Sequence, residues 1–172
     1  GTEYGLVVHP VDRHAPTLFE DIRRFVQQQR LAGVMLPPPL SENDALAELL
    51  DDLDCNYVRM GSAQLDDPAH LVQSNDRQAV RDAVGFLIAQ GHTRIGLVEG
   101  PDGFRSALER REGWRDALEA HGLPCGPELM ARGNYTFETG KEAGDALLSL
   151  AERPTAIFAS NDEMAAAAVA VA

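Results

Sequence analysis

The fold is decided by the stretch PTAIFASNDEMA, residues 154–165. Its apolar first half, residues 154–159, is typical of a buried strand, and the polar turn that follows leads into a helix over residues 166–172. A strand that ends at a polar turn and opens a helix is the corner of an α/β sheet. Ligands of open α/β sheets bind at the carboxyl ends of the strands. We therefore expect Asn161 and Asp162 to face a ligand site.

Strands and helices alternate along the rest of the chain. Strands are predicted at residues 4–9, 33–36, 56–60, 71–74, 94–98 and 155–159. Helices are predicted to begin near Thr17, before Leu46, after Asn75, at Ser106, at Thr136 and at Ser160. Several of these starts have capping-box spacing, as in Ser106 with Glu109 and Ser160 with Glu163. The alternation predicts an α/β fold with two series of parallel βαβ units, one before and one after Gly91.

Composition and charge limit the class of protein. The 172 residues are 44% apolar and 24% charged, which is the balance of a globular chain. A net charge of −12 repels phosphate backbones, so this chain alone is not expected to bind DNA or RNA. Cys55 and Cys125 are far apart and lack CxxC spacing, which indicates two reduced thiols in a cytoplasmic protein. We find no signal peptide and no apolar run long enough to cross a membrane.

Signatures of catalysis and cofactor binding are missing from the sequence. The motifs GxGxxG, GxxxxGK[ST] and GxSxG do not occur, and we find no nucleophile paired with a base. The five histidines are scattered without the spacing of metal ligands. We therefore expect no enzyme activity, no metal ion and no cofactor.

Five segments resemble the effector-binding core of the lactose-repressor and galactose-repressor family of bacterial transcription regulators. They are SND (74–76), FLIAQGHTRIGLV (86–98), ERREGW (109–114), GNYTFETG (133–140) and RPTAIFASNDEMA (153–165). Each segment alone is a weak signal, but five in this order and spacing are specific. Residues 4–61 fit the first subdomain of the family less specifically.

The resemblance implies a fold similar to the type I periplasmic binding proteins, with two Rossmann-like parallel-sheet subdomains and a ligand cleft between them. The N-terminal subdomain would be residues 1–91, without its first strand and helix, and the truncated C-terminal subdomain would be residues 92–172. The implied function is effector sensing by a DNA-binding transcriptional repressor, with a small polar metabolite, most typically a sugar, as effector. The family also implies a homodimer that binds operator DNA through a helix-turn-helix domain absent from this chain.

The resemblance and the positions of polar residues suggest seven ligand-binding residues. Arg110 matches the effector-contacting arginine of the family, whose guanidinium suits vicinal hydroxyls or a carboxylate. The other six are Asn161, Tyr135, Asp162, Gln78, Asp12 and Arg13. Each also has a structural interpretation: a surface ion pair for Arg110, helix capping for Asn161 and Asp162, and core packing for Tyr135.

Two other functions remain open at this point. A periplasmic sugar-binding protein of a transport or chemosensory system shares the fold but needs an export signal. An enzyme with an α/β cleft would need a nucleophile or a metal site, and turnover of a ligand would reveal it.

Overall fold

The computed structural model describes residues 4–61 and 68–172. Within these ranges the helices are α1 (Leu18–Gln29), α2 (Asp44–Asp52), α3 (Asp76–Ala89), α4 (Arg105–Ala120), α5 (Phe137–Leu148) and α6 (Asp162–Val171). The strands are β1 (Val34–Leu36), β2 (Tyr57–Gly61), β3 (Leu71–Gln73), β4 (Ile95–Glu99), β5 (Met130–Arg132) and β6 (Ala156–Ala159). Contacts divide the described residues into a first unit, mainly residues 4–60 and 68–72, and a second unit that includes residues 73–172.

The first unit contains a three-stranded sheet in the order β1-β2-β3. Strands β1 and β2 run parallel, with Val34 opposite Tyr57. Helices α1 and α2 bury their apolar faces in one core with Leu36 of β1 and Tyr57 of β2. Burial on this face alone explains the alternating burial along β2, where Val58 and Met60 are 36% and 38% exposed.

The second unit is a three-layer α/β arrangement. Strand β4 lies between β5 and β6 and is parallel to both. Its side chains alternate between two cores: Ile95 and Leu97 pack with α3 and α4, whereas Val98 packs with α5 and α6. The α/β fold with two parallel-sheet units expected from the sequence is therefore confirmed.

Helices α3 and α4 approach each other closely at Gly113. A Cβ atom at this position would collide with the carbonyl oxygen of Arg77 and lie 3.0 Å from the Cβ of Val80. Beside this contact, Arg77 donates two hydrogen bonds to the carboxylate of Asp116, with donor–acceptor distances of 2.7 and 2.8 Å. Glycine and this ion pair together fix the first turn of α3 against the middle of α4.

The division by contacts differs from the subdomain boundary expected at residue 91. Helix α3 lies before that boundary, yet it packs with α4 and contributes Val80 and Val84 to the core that surrounds Trp114. By packing, α3 therefore belongs with the second unit. The boundary between residues 91 and 92 stays a prediction about subdomain organisation.

The strand expected at residues 4–9 is wrong. These residues have no regular secondary structure, and Tyr4, Leu6 and Val8 are 77%, 90% and 78% exposed. An apolar run forms a strand only where a neighbouring strand supplies hydrogen-bond partners, and no ladder bond to residues 4–9 occurs in the described ranges. Conversely, β5 was not predicted, because its residues Met130–Arg132 include no β-branched or aromatic side chain.

Helix starts occur where expected, but the predicted capping boxes do not form. Helix α4 begins one residue before Ser106, with Phe104 as N-cap and no capping side chain. Helix α6 is capped by Asn161 instead of Ser160, since the Asn161 Oδ1 accepts from the backbone N–H of Met164 at 3.0 Å. Glu163 accepts a hydrogen bond from the backbone N–H of Phe137 at the start of α5. It therefore satisfies a free donor of the neighbouring helix instead of its own.

None of the helices in the described ranges has both the length and the apolar character needed to span a lipid bilayer.

Gly113→Ala should lower the free energy of unfolding by about 1–3 kcal/mol, because the added methyl forces α3 and α4 apart. Gly85→Ala is the matched control, since no described atom lies within 4 Å of a Cβ built at Gly85. It should raise the free energy of unfolding by up to about 1 kcal/mol through helix propensity alone. Urea unfolding followed by Trp114 fluorescence measures both; equal effects would contradict the close approach.

In Asp116→Asn, the free energy of unfolding should fall less than in wild type as the pH is lowered into the acid range. The hydrogen bond from Arg77 lowers the pKa of Asp116. A carboxyl group whose pKa is lower in the folded protein stabilises the fold at any pH above its pKa in the unfolded chain, which is about 4. This stabilisation is lost as the pH falls through the pKa of the folded protein. The stability difference between wild type and Asp116→Asn should therefore be present at neutral pH and vanish in acid.

Denaturant unfolding at a series of pH values measures this difference. The exposed acid Glu142 of α5, changed to Gln, serves as the control and should show a smaller pH-dependent difference. A constant difference between wild type and Asp116→Asn at all pH values would contradict a role for the Arg77–Asp116 ion pair.

Candidate functional site

Polar side chains of the second unit converge at the carboxyl edge of its sheet. Because β4, β5 and β6 are parallel, the segments that follow them emerge at the same edge. Gly100 follows β4, Tyr135 comes shortly after β5, and Ser160 and Asn161 follow β6. Arg110 reaches the same edge from the second turn of α4.

Arg110 bonds to two different elements through its guanidinium. The Nε donates to the Asp76 carboxylate at 2.8 Å, and the Nη1 donates to the backbone carbonyl of Ser160 at 2.6 Å. The side chain is 29% exposed. Two of its five N–H groups are used, which leaves three without an acceptor among the described residues. The surface ion pair with Glu109 or Glu112 that the sequence left open is not formed, whereas the pair with Asp76 is.

Asp76 is the site residue that the sequence interpretation missed. It occupies the first turn of α3 and is 12% exposed. Its Oδ1 accepts from the Ser74 hydroxyl at 2.7 Å while its Oδ2 accepts from Arg110. Capping of α3 is performed by Asn75, whose Oδ1 accepts from the backbone N–H of Gln78. Its place after a strand end, equivalent to that of Asp162 after β6, was the available signal.

Asn161 uses both ends of its side-chain amide inside the second unit. Its Oδ1 caps α6, and its Nδ2 donates to the backbone carbonyl of Tyr135 at 3.0 Å. The capping interpretation is therefore confirmed. One N–H of Nδ2 and one lone pair of Oδ1 remain for a ligand.

Tyr135 has a left-handed backbone conformation, with φ of 63°. Such a conformation costs a residue with a Cβ roughly 1–2 kcal/mol. The ring packs edge-on against Phe104, with centroids 5.7 Å apart, and its hydroxyl lies 3.5 Å from the Oγ of Ser106. A Cβ at Gly100 would lie 2.5 Å from the Tyr135 hydroxyl, so glycine makes room for the ring. The half-buried ring thus lies at the edge of the sheet, with its position fixed.

Of the remaining predicted site residues, Asp162 and Gln78 of the second unit are open to solvent, and Asp12 and Arg13 belong to the first unit. Asp162 is exposed in the first turn of α6, next to Asn161. Gln78 is exposed on α3, and its Nε2 donates to Asp82 at 2.8 Å. Asp12 and Arg13 belong to the first unit, where the Asp12 carboxylate accepts from the backbone N–H of His14 and the Arg13 Nε donates to the His14 ring.

Two hollows lie near these residues, one in each unit. In the second unit, a hollow of about 300 Å³ lies between the loop after β4 and the start of α4, and its lining includes Glu99, Phe104 and Arg111. The hollow of the first unit has about 330 Å³, and its lining includes Asp12 and Phe25. Both are open depressions with charged and aromatic walls.

The chemistry of the second-unit cluster is hydrogen bonding. In the ranges 4–61 and 68–172, no three His, Cys, Asp or Glu side chains are grouped closely enough to hold a metal ion. Burial raises the pKa of the Cys55 thiol, and it also raises the pKa of Cys125, which keeps both thiols in their poorly nucleophilic protonated form. Arg110 offers free donors beside an aromatic ring and an amide, a combination suited to a polar ligand with a ring.

Comparisons with known proteins confirm the resemblance. A probable repressor of Bacillus subtilis, ExuR, is 41% identical over 98 residues, which cover 57% of this chain and 29% of ExuR. The regulator CelR of Thermobifida fusca is 33% identical over 155 residues, which cover 88% of this chain and 45% of CelR. The chain therefore spans less than half the length of these relatives.

Solved structures of regulators have the same fold. The crystal structure of a LacI-family regulatory protein from Chloroflexus aggregans is 28% identical, with a TM-score of 0.82, and the match covers 95% of this chain and 58% of that protein. A CelR–cellobiose complex is 31% identical with a TM-score of 0.77, covering 91% and 48%. Residues 3–172 match the family described as periplasmic binding proteins and sugar binding domain of LacI family. Since the match covers nearly the whole sequence, this chain belongs to that family.

Proposed function

We propose that this chain is the effector-sensing domain of a bacterial transcriptional repressor. It binds a small polar metabolite, with a sugar as the favoured class, and ligand binding changes the affinity of the regulator for operator DNA. It acts in the cytoplasm as a homodimer and catalyses no reaction. A surface with a net charge of −12 repels DNA, so we assign operator binding to a separate helix-turn-helix domain of the regulator.

The arrangement of Arg110 supports this proposal most directly. Its guanidinium is held between α3 and the end of β6, yet three N–H donors remain for a ligand. The amide of Asn161 and the ring of Tyr135 lie at the same edge of the sheet. Sugars present hydroxyl acceptors around a ring that can pack on an aromatic side chain, so this set of groups fits them.

The named relatives favour a regulator that binds a sugar. ExuR is named as a repressor and CelR as a regulator, and the CelR structure contains cellobiose. By analogy, the two units of this chain would respond to the effector as part of a larger protein. An effector that binds one conformation of the regulator more tightly than the other shifts the population between them, and this shift changes DNA affinity. Dimers match the two-fold symmetry of operators.

A periplasmic sugar-binding protein is the second candidate function. The family that matches residues 3–172 also includes periplasmic binding proteins. This alternative predicts sugar binding without DNA binding and a mature protein trimmed at an export signal.

The test of function uses the natural protein isolated from its source cells. Two measurements separate the two candidates. Mass spectrometry of the N-terminal peptides shows whether an export signal has been removed. Selection of bound genomic DNA fragments, with and without a panel of sugars, shows whether the protein binds DNA in a sugar-dependent way. Sugar-dependent release of a specific fragment supports the repressor. Sugar binding by an exported protein that selects no fragment contradicts it.

Arg110→Ala should weaken effector binding by about 1.5–3 kcal/mol, the typical loss for a hydrogen bond from a charged donor. Calorimetric titration of the natural protein measures the change. The control is Arg115→Ala, which removes the same charge from the same helix and, among residues 4–61 and 68–172, breaks hydrogen bonds with Glu112 alone. Equal effector affinities of Arg110→Ala and Arg115→Ala would contradict the assignment of Arg110 to the effector site.

A further inference from the structure

We propose that Asp76 makes the ligand site selective for uncharged, hydroxyl-rich effectors and rejects anionic ones. Arg110 alone would suit a neutral sugar and a sugar acid equally, since a guanidinium binds hydroxyls and carboxylates. Asp76 distinguishes these two classes. The inference rests on the proposed function and names the effector class for the same site.

The ion pair occupies one of the two edges of the guanidinium that an acid would use. A carboxylate or phosphate binds arginine best through two parallel N–H bonds, and one such edge consists of Nε and Nη2. The Asp76 carboxylate already accepts from Nε at 2.8 Å. The Nη1 is engaged with the carbonyl of Ser160 at 2.6 Å. The remaining donors are one N–H of Nη1 and the two of Nη2, and hydroxyl oxygens can accept from each of them singly.

The charge of Arg110 is balanced inside the site. The Asp76 side chain is 12% exposed and the Arg110 side chain is 29% exposed, so water screens the pair less than it screens a surface pair. An anion that bonds to the free donors of Arg110 also feels the negative charge of Asp76 on the Nε side of the same guanidinium. The repulsion offsets part of the attraction, and the anion still loses its hydration.

Neighbouring arginines of the second unit do not restore a positive charge. Arg111 lies 3.6 Å from the Glu99 carboxylate and 3.4 Å from that of Glu112. Arg132 is bonded to Asp102 in the loop after β4. Asp162 adds an exposed carboxylate next to Asn161. The electrostatics of this edge therefore favour neutral ligands.

Helix capping does not account for Asp76. Asn75 accepts from the backbone N–H of Gln78 and caps α3. Both oxygens of Asp76 point instead to side chains, one to Ser74 and one to Arg110. Asp76 is therefore a positioning residue: it holds Arg110 and cancels its charge.

The first experiment uses inorganic phosphate as the anion and Asp76→Asn as the variant. Asparagine keeps one oxygen acceptor for Arg110 and removes the charge, and its NH2 can donate to the Ser74 hydroxyl. Phosphate titrated into the natural protein should bind Asp76→Asn about tenfold or more tightly than wild type, because the repulsive charge near Arg110 is gone. Asp76→Glu retains the charge and should behave as wild type. The double variant that combines Asp76→Asn with Arg110→Gln should lose the tighter phosphate binding of Asp76→Asn.

Glu138→Gln is the matched control for charge. Glu138 is exposed in the first turn of α5 and has no contact with Arg110. An equal gain of phosphate binding in Glu138→Gln would overturn the proposal, because net charge alone would then explain the effect. Phosphate binding by wild type as tight as by Asp76→Asn would also overturn it.

The second experiment compares D-glucose with D-glucuronate, D-galactose with D-galacturonate, and cellobiose with cellobionate. Wild type should prefer the neutral member of any pair that binds, and Asp76→Asn should narrow this preference by about tenfold. Preference of wild type for an acid would overturn the proposal. If no sugar binds, the proposed sugar-sensing function fails, whereas the phosphate titration still decides the role of Asp76.

Discussion

The candidate site depends on the close approach of α3 and α4 at Gly113. Because a side chain at this position would collide with the Arg77 carbonyl, glycine allows the two helices to pack closely. Asp76 lies one residue before Arg77 on α3, and Arg110 lies one turn before Gly113 on α4. A separation of the helices would therefore break the 2.8 Å bond between Asp76 and Arg110. The glycine that allows the two helices to pack closely therefore also allows the ion pair at the ligand edge to form.

Hydrogen bonds within the second unit hold the candidate residues before any ligand binds. Ser160, which follows β6, bonds to two other elements. Its hydroxyl donates to the Val98 carbonyl of β4, and its own carbonyl accepts from Arg110 of α4. Asn161 then connects the start of α6 to Tyr135. A site whose side chains are already fixed loses less conformational entropy when a ligand binds. The strained backbone of Tyr135 is consistent with this, since the surrounding bonds and packing hold it in place.

Sequence patterns predicted those parts of the fold that local residues determine. The alternation of apolar runs and helix starts predicted the α/β class. The polar turn after β6 predicted that Asn161 lies at the edge of the sheet. Residues 4–9 have the same apolar character, but a strand also needs a partner, which a local pattern does not contain. Both Arg110 and Asp76 lie in the segments that carry the resemblance, but their ion pair could not be predicted from the sequence. The two are 34 positions apart and meet only through the packing of α3 on α4.

Ligand selectivity at such a site follows from what the side chains already bond. Asn161 uses one N–H and one lone pair of its amide within the protein, so a ligand can use only the other N–H and the other lone pair. Arg110 does have unused donors, but it shares its charge with Asp76. The net gain from a hydroxyl is therefore a few ordinary hydrogen bonds, while an acid must also overcome a fixed negative charge. A chain this rich in carboxylates can thus contain an arginine at its ligand edge without attracting anions there.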